Sequence, residues 1–362
     1  MRTSAIALVF GTRPELVKLA PLAWELGASA SWIHTGQHPW ADLAEIADDL
    51  RIGPPDCDAT VAAAPPGLLG ASVAAVAHAL TELAPDVVVV QGDTNSTLAG
   101  ALATAKLGLP LVHLEAGLRA FDRRLPEEHN RIIVDHLADV LCAPTPLAAT
   151  QLGDEGIAAS RIVVTGNTAV DALHRVLPDQ DERIAIRAAF NLRADEYAVA
   201  TLHRPENVDD GQTLATIVEE LRNLPLPVLM PVHRRTSDRA RRAGIELGGG
   251  ALIATPPLGY RAFLALAADS AFLVTDSGGV QEEASVIGRP AVVVRRSTER
   301  PEVLGTVTTR VDPGPDIGAA ARAILADLPN LHRRLAELGS PYGGGDARFL
   351  TVAAIEQLIA PR

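Results

Sequence analysis

Short, unbroken apolar runs recur along this chain, and between them lie stretches whose apolar positions return every three to four residues. The runs are rich in Val, Ile and Leu and have no polar face, which predicts strands buried on both sides. The stretches between them predict amphipathic helices, and this alternation is the mark of parallel α/β sheets. Strands are expected at 5–10, 31–35, 86–90, 111–114, 140–142 and 161–164. A second series is expected near 197–202, 228–231, 251–253, 272–274 and 291–294. Thr12-Arg13-Pro14-Glu15 reads as a capping box opening a helix, with Pro14 in the tolerant first turn.

The pattern repeats its plan without repeating its sequence, which predicts two doubly wound domains. Residues 1–170 and 171–345 are the expected domains, and 346–362 a last helix packing back on the first. Polar residues cluster just after strands in both halves, so the two domains are expected to face each other across a ligand-binding cleft. Within the second half, Phe272 to Ala284 reads strand, tight turn Asp276-Ser277-Gly278-Gly279, then helix. Two glycines at a helix start let backbone N–H groups reach a ligand, a natural cradle for phosphate. Glu282 and Glu283 are expected in that helix's first turn, one of them turned toward ribose hydroxyls.

Composition narrows the partners. A net charge of −12 argues against nucleic acid or an anionic membrane. Cys57 and Cys142 are too few for a disulfide framework, which fits a reducing cytoplasm. The apolar run after Met1-Arg2-Thr3-Ser4 is too short for a signal peptide, and no run reaches the length of a membrane span. Metal-ligand spacings, a P-loop and a Gly-x-Gly-x-x-Gly after the first strand are all missing, so neither a metal nor another cofactor is expected.

Three carboxylates of the first half are expected to face the cleft, Asp93, Glu115 and Glu127. Asp93 also fits a helix N-cap, and Glu127 with Arg131 also fits an exposed helix pair. Glu115 directly follows the buried run Leu111–Leu114 and is harder to assign to the surface. Glu127, Arg131 and Asp135 are spaced to share one helix face. Three carboxylates opposite a phosphate cradle point to proton transfer on a nucleotide-linked sugar. His203 and His233 fit either that site or the core.

These segments resemble the non-hydrolysing UDP-N-acetylglucosamine 2-epimerases. The resemblance runs through Gly11-Thr12-Arg13-Pro14-Glu15, Gly36-Gln37-His38, Gly92-Asp93-Thr94, His113-Leu114-Glu115-Ala116-Gly117-Leu118-Arg119 and Pro126-Glu127-Glu128-His129-Asn130-Arg131. Thr165-Gly166-Asn167, His203-Arg204-Pro205-Glu206-Asn207, Asp276-Ser277-Gly278-Gly279 and Thr298-Glu299-Arg300-Pro301-Glu302 continue it in order. It implies a GT-B-like fold of two Rossmann-like domains, no cofactor, a UDP-sugar as the partner and a homodimer. It implies that Asp93, Glu115 and Glu127 do acid–base work near Lys18 and Arg131. His203 joins that set, and Arg13, Ser277, Gly278 and Gly279 hold the diphosphate with it. Glu283 meets the ribose, Phe263 lies beside the uracil, and Arg300 falls in the nucleotide region. The implied reaction is reversible C2 epimerisation of UDP-N-acetylglucosamine through a 2-acetamidoglucal. A hydrolysing epimerase and a GT-B glycosyltransferase are the alternatives. The segment 121–126 is shorter than in common bacterial members and resembles the archaeal and deoxysugar-type branch. Some bacterial members bind an activating second substrate through two glutamines and an arginine. Here Gln37 matches the first, Trp40 occupies the second place, and no arginine lies between Arg51 and Arg119.

Overall fold

Every pairing between strands is parallel, as unbroken apolar runs require. The computed structural model describes residues 5–62 and 67–360. Met1 to Ser4, residues 63–66 of the Pro/Gly/Ala-rich loop 53–67, and the last two residues lie outside the described residues. The chain divides into two compact units, Met1–Arg175 with Tyr342–Arg362, and Val176–Pro341.

The first unit runs β1 (Ile6–Phe10), α1 (Arg13–Leu26), β2 (Ala30–His34), α2 (Trp40–Asp49), β3 (Cys57–Asp58), α3 (Leu68–Leu83), β4 (Val87–Gln91) and α4 (Asn95–Leu107). It continues with β5 (Leu111–Leu114), α5 (Pro126–Leu137), β6 (Val140–Ala143), α6 (Pro146–Asp154), β7 (Ile162–Val164) and α7 (Thr168–Val176). Its seven strands are ordered β3-β2-β1-β4-β5-β6-β7. The order reverses between β1 and β4, so loops leaving their carboxyl ends diverge and leave room for a ligand. Those loops carry Arg13 and Asp93. Val9, Val88 and Val90 form the sheet side of the core, and Leu98 and Ala101 of α4 the helix side. A Cβ at Gly100 would lie 2.9 Å from Val90 Cγ1, so only glycine lets α4 settle this close to the sheet.

The second unit runs α8 (Gln180–Ala189), β8 (Ala198–Thr201), α9 (Pro205–Val208), α10 (Gly211–Arg222), β9 (Val228–Pro231), α11 (Arg234–Ala243), β10 (Leu252–Thr255) and α12 (Tyr260–Ala268). Then come β11 (Phe272–Thr275), α13 (Gly278–Ile287), β12 (Ala291–Val294), β13 (Thr308–Val311), α14 (Asp316–Ala326) and α15 (Leu328–Leu338). The strand order is β10-β9-β8-β11-β12-β13, reversing between β8 and β11. The loops leaving those two strands begin at Leu202 and Asp276. A final helix, α16 (Ala347–Ile359), belongs to the first unit and packs on α1. Both units are Rossmann-like.

Strands β3 and β13 carry no clear signal in the sequence. β3 is two residues long inside a Gly/Pro-rich segment, and β13 is a polar edge strand with its two central residues exposed. Edge strands with one partner need no continuous apolar run.

Candidate active site

Burial organises the first unit's ligand end around Glu15. Its carboxylate, fully buried, accepts from the Gly11 and Thr12 amides at 3.0 and 2.8 Å and from Thr94 Oγ1 and Thr97 Oγ1 at 2.6 and 2.9 Å. It therefore clamps the β1–α1 turn to the start of α4, a role beyond the capping box that the sequence predicts. Burial raises its pKa despite those hydrogen bonds.

Glu115 lies at the carboxyl end of β5 with φ at +65°, a left-handed conformation costing a non-glycine residue about 1–3 kcal/mol. Such strain persists only where neighbours over-determine it, and three neighbours here can donate to the carboxylate. Lys18 Nζ sits 2.6 Å from Glu115 Oε1, both side chains being 6% exposed. Gln91 Nε2 donates to Oε2, and Asn167 Nδ2 lies 3.4 Å from Oε1. Lys18, Gln91 and Asn167 can each donate to this carboxylate.

Lys18 is one of only two lysines among 32 basic residues. A compact ammonium on a flexible stem suits this enclosed position better than a planar guanidinium. Gln91 and Asn167 were not among the residues that sequence pattern singles out for chemistry. The signal for Gln91 is an amide ending the valine run 87–90, and for Asn167 a polar residue after β7.

Asp93 pairs with Arg131, which also pairs with the buried Glu128. Glu128 in turn accepts from the Ala120 and Phe121 amides at 3.0 and 2.8 Å, tying the shortened 121–126 segment to α5. Glu127, the second residue of α5, is half-buried. Arg13 is half-buried at the first position of α1. A cavity at this end is lined by Lys18, Gln91, Glu115 and Asn167, with Thr351 contributed by α16.

On the second unit, Asp276 is the organising group. Fully buried, it accepts from the His203 and Arg204 amides at 3.0 and 2.9 Å and from Asn207 Nδ2 at 3.1 Å. Its Oδ1 lies 3.0 Å from Nδ1 of His203, whose side chain remains 41% exposed. Burial alone would raise the Asp276 carboxyl, but His203 and these hydrogen bonds bring it down to about 2. The carboxylate orients the His203 ring through Nδ1.

The helix that follows differs from its expected form. α13 begins at Gly278, so Gly278 and Gly279 are helical and neither has a positive φ. Their value is space. A Cβ at Gly278 would lie 2.7 Å from Glu299 Oε1, whereas one at Gly279 meets nothing nearer than Ser277 Oγ at 3.9 Å. The backbone is thus closely packed below and open above, as an anion cradle at a helix N-terminus requires.

Glu282 and Glu283 fall in the second turn of α13, not the first. Glu282 is buried against Arg300, whose Nε donates to it at 2.6 Å, and Glu283 is half-buried. Beneath the cradle, Glu299 is held ionised well below the usual carboxylate range. Burial opposes this, and the guanidinium groups of Arg300, Arg295 and Arg204 overcome it. Phe263 is buried in α12 at 7% exposure, and Arg300 at 5%.

Strand-end carboxylates held by cations on one Rossmann-like unit, and a glycine-lined helix start beside a fixed histidine on another, describe a GT-B-like enzyme of nucleotide-sugar chemistry. The family model for UDP-N-acetylglucosamine 2-epimerase matches residues 25–356. A UDP-N-acetylglucosamine 2-epimerase from Methanococcus maripaludis is 35% identical over 96% of this chain and 97% of its own length. A UDP-2,3-diacetamido-2,3-dideoxy-D-glucuronate 2-epimerase from Pseudomonas aeruginosa is also 35% identical, over 94% of this chain and 96% of its own. Among solved structures, the Methanocaldococcus jannaschii UDP-GlcNAc 2-epimerase in complex with UDP-GlcNAc and UDP matches with a TM-score of 0.88. That match is at 34% identity and covers 98% of this chain and 99% of the other. The chain belongs to the UDP-N-acetylglucosamine 2-epimerase family.

Proposed function

We propose that this protein interconverts UDP-N-acetylglucosamine and UDP-N-acetylmannosamine reversibly, without hydrolysis. The observation that carries the reading is Glu115, whose side chain is 6% exposed and pairs with Lys18 at 2.6 Å from a strained backbone conformation. The C2 proton of such a sugar is not next to a carbonyl, so direct enolisation is closed. Breaking the C1–O bond first sends its electron pair to departing UDP and gives C1 positive character. Loss of the C2 proton to a carboxylate then forms the 2-acetamidoglucal. Protonation at C2 from the other face and attack of a UDP phosphate oxygen on C1 complete the cycle with all atoms conserved.

In this reading Asp93, Glu115 and Glu127 handle the C2 proton, with Lys18 and Arg131 setting their charge. Arg13, His203, Ser277, Gly278 and Gly279 stabilise the departing diphosphate. Glu283 meets the ribose, Phe263 packs at the uracil, and Arg300 braces the cradle from below.

Incubation in D₂O is expected to place deuterium at C2 of the recovered sugar nucleotide. Free N-acetylmannosamine with UDP as products would instead mark a hydrolysing enzyme. Absence of C2 exchange with every 2-acetamido UDP-sugar would defeat the reading. The Pseudomonas relative supports a second sugar, so a 2,3-diacetamido uronate nucleotide belongs in the same assay.

Substrate activation is expected to be absent. Gln37 is committed to the start of α4, accepting from the Ser96 amide and hydroxyl at 3.1 and 2.9 Å. Trp40 packs edge-on to Phe10 and His34. A second diphosphate would bring like charge with no added guanidinium to offset it. The rate should therefore rise hyperbolically with substrate, and the reverse reaction should start without added UDP-N-acetylglucosamine. The Methanocaldococcus complex holds both UDP-GlcNAc and UDP, so the shape of this curve separates one bound ligand from two. A sigmoidal curve would refute the expectation.

A further inference from the structure

Behind the two loops that carry Asp93 and Glu115 lies a buried pair for which the proposed chemistry has no direct use. His113, in the middle of β5, is 0% exposed, and so is Asp135 of α5. The imidazole Nε2 lies 2.8 Å from the Gly92 carbonyl oxygen, and Nδ1 lies 2.7 Å from Asp135 Oδ1. A carbonyl only accepts, so Nε2 carries a proton.

Asp135 Oδ2 accepts from the Gly117 amide at 3.2 Å and from Arg119 at 2.8 Å. Burial pushes the Asp135 carboxyl up, and His113 and Arg119 together bring it below its ordinary value. Asp135 Oδ1 faces Nδ1, so both ring nitrogens of His113 lie against oxygen atoms that can accept. Arg119 also donates to Glu155 at 2.7 and 2.6 Å. Buried charges persist only when paired and hydrogen-bonded in this way.

The backbone groups that this pair holds are the informative part. Gly92 immediately precedes Asp93, and a Cβ there would lie 3.7 Å from Glu115 Oε2, so the two loops touch. Gly117 follows Glu115 by two residues. All three of Gly92, Glu115 and Gly117 have positive φ, at +77°, +65° and +85°. The two glycines adopt this conformation freely, whereas Glu115 between them does so at a cost and needs its loop held. His113 grips the first loop through its carbonyl, and Asp135 grips the second through its amide.

We propose that His113 and Asp135 form a buried positioning ion pair that sets Asp93 and Glu115 in register for proton transfer. The pair touches no substrate and acts through the backbone of the two loops. This rests on the assignment of Asp93 and Glu115 to the C2 proton.

The first test uses the wild-type protein with ¹⁵N-labelled histidine and no substrate. A two-bond ¹H–¹⁵N correlation spectrum, assigned by loss of the signal in His113→Asn, should show both ring nitrogens of His113 protonated at neutral pH. A bare ring nitrogen would overturn the proposal. The second test is kinetic. Asp135→Asn keeps the shape but removes the charge, and should lower kcat for C2 exchange about 10- to 100-fold, the scale of outer-shell orienting partners elsewhere. KM and the UDP dissociation constant should stay within about threefold, since reach to the diphosphate is unaltered. His113→Gln, which retains one donor for the Gly92 carbonyl, should keep more activity than His113→Ala. A KM that rises in step with the loss of kcat, or unaltered exchange, would refute the positioning role. If the variants fail to fold, the wild-type spectrum still decides. A wild type that shows no C2 exchange defeats the epimerase reading and leaves the spectrum to judge the ion pair.

Discussion

Glu115→Gln is expected to lower turnover and C2 exchange about 10²- to 10⁴-fold, the usual worth of a positioned acid–base group. UDP should still bind. The substitution keeps length and volume, and an amide oxygen can still accept from one of the three donors around it. What disappears is the charge facing Lys18 Nζ at 2.6 Å and the ability to take up a proton. The strained φ of +65° is a backbone property that Gln tolerates no worse than Glu, so folding should survive. Exchange into C2 in D₂O measures the chemistry, and calorimetric titration with UDP measures binding. Little change in turnover would make Glu115 a structural residue and end its assignment. Arg13→Ala supplies the contrast. Assigned to the leaving diphosphate, it should weaken UDP binding itself.

Asp276→Asn is expected to be the most destabilising single change at the cradle, at about 3–5 kcal/mol, the scale for breaking a buried charged network. Asp276 accepts from the His203 and Arg204 amides, from Asn207 and from the His203 ring. An asparagine there must aim its own N–H₂ at groups that are themselves donors. The His203 ring loses its orienting partner, so UDP affinity should fall with stability.

The pH dependence of this effect has a definite sign. The folded-state carboxyl is depressed from 3.8 to about 2. Its share of stability, about 2 kcal/mol, is fully present above 3.8 and is lost as the pH falls from there through about 2. Urea midpoints of wild type and Asp276→Asn should thus differ by a constant amount from neutral pH down to about pH 5, and converge toward pH 2. A gap that persists undiminished at pH 2 would show that the ion pair is not its source.

Much of this architecture was legible as a one-dimensional pattern. Continuous apolar runs can be satisfied only between two layers of helices, so parallel sheets follow from them. The expected strands at 111–114, 228–231 and 291–294 match β5, β9 and β12 to the residue. Strand ends were legible for the same reason, since polar residues directly after such runs must lie at the ligand-bearing edge of the sheet. Asp93, Glu115, His203 and Gly278 stand out by position alone.

Their partners do not. Lys18 and Glu115 are 97 residues apart, His203 and Asp276 are 73 apart, and no local period joins either pair. The helix register at Gly278 was also undecided by pattern, because two glycines suit a turn and a close-packed first turn equally well. The contact with Glu299 Oε1 chooses between them. Glu15, Glu128 and Asp135 look like ordinary helix acids along the chain, since exposed and buried carboxylates share one letter. Packing of α1 and α5 in the first unit buries all three, and desolvation makes each buried charge demand a partner. Sequence alone determined which residues end the strands. Which of them meet, and therefore which carry charge, was decided by the tertiary fold, because pairing of buried charges is set by distance in space rather than along the chain.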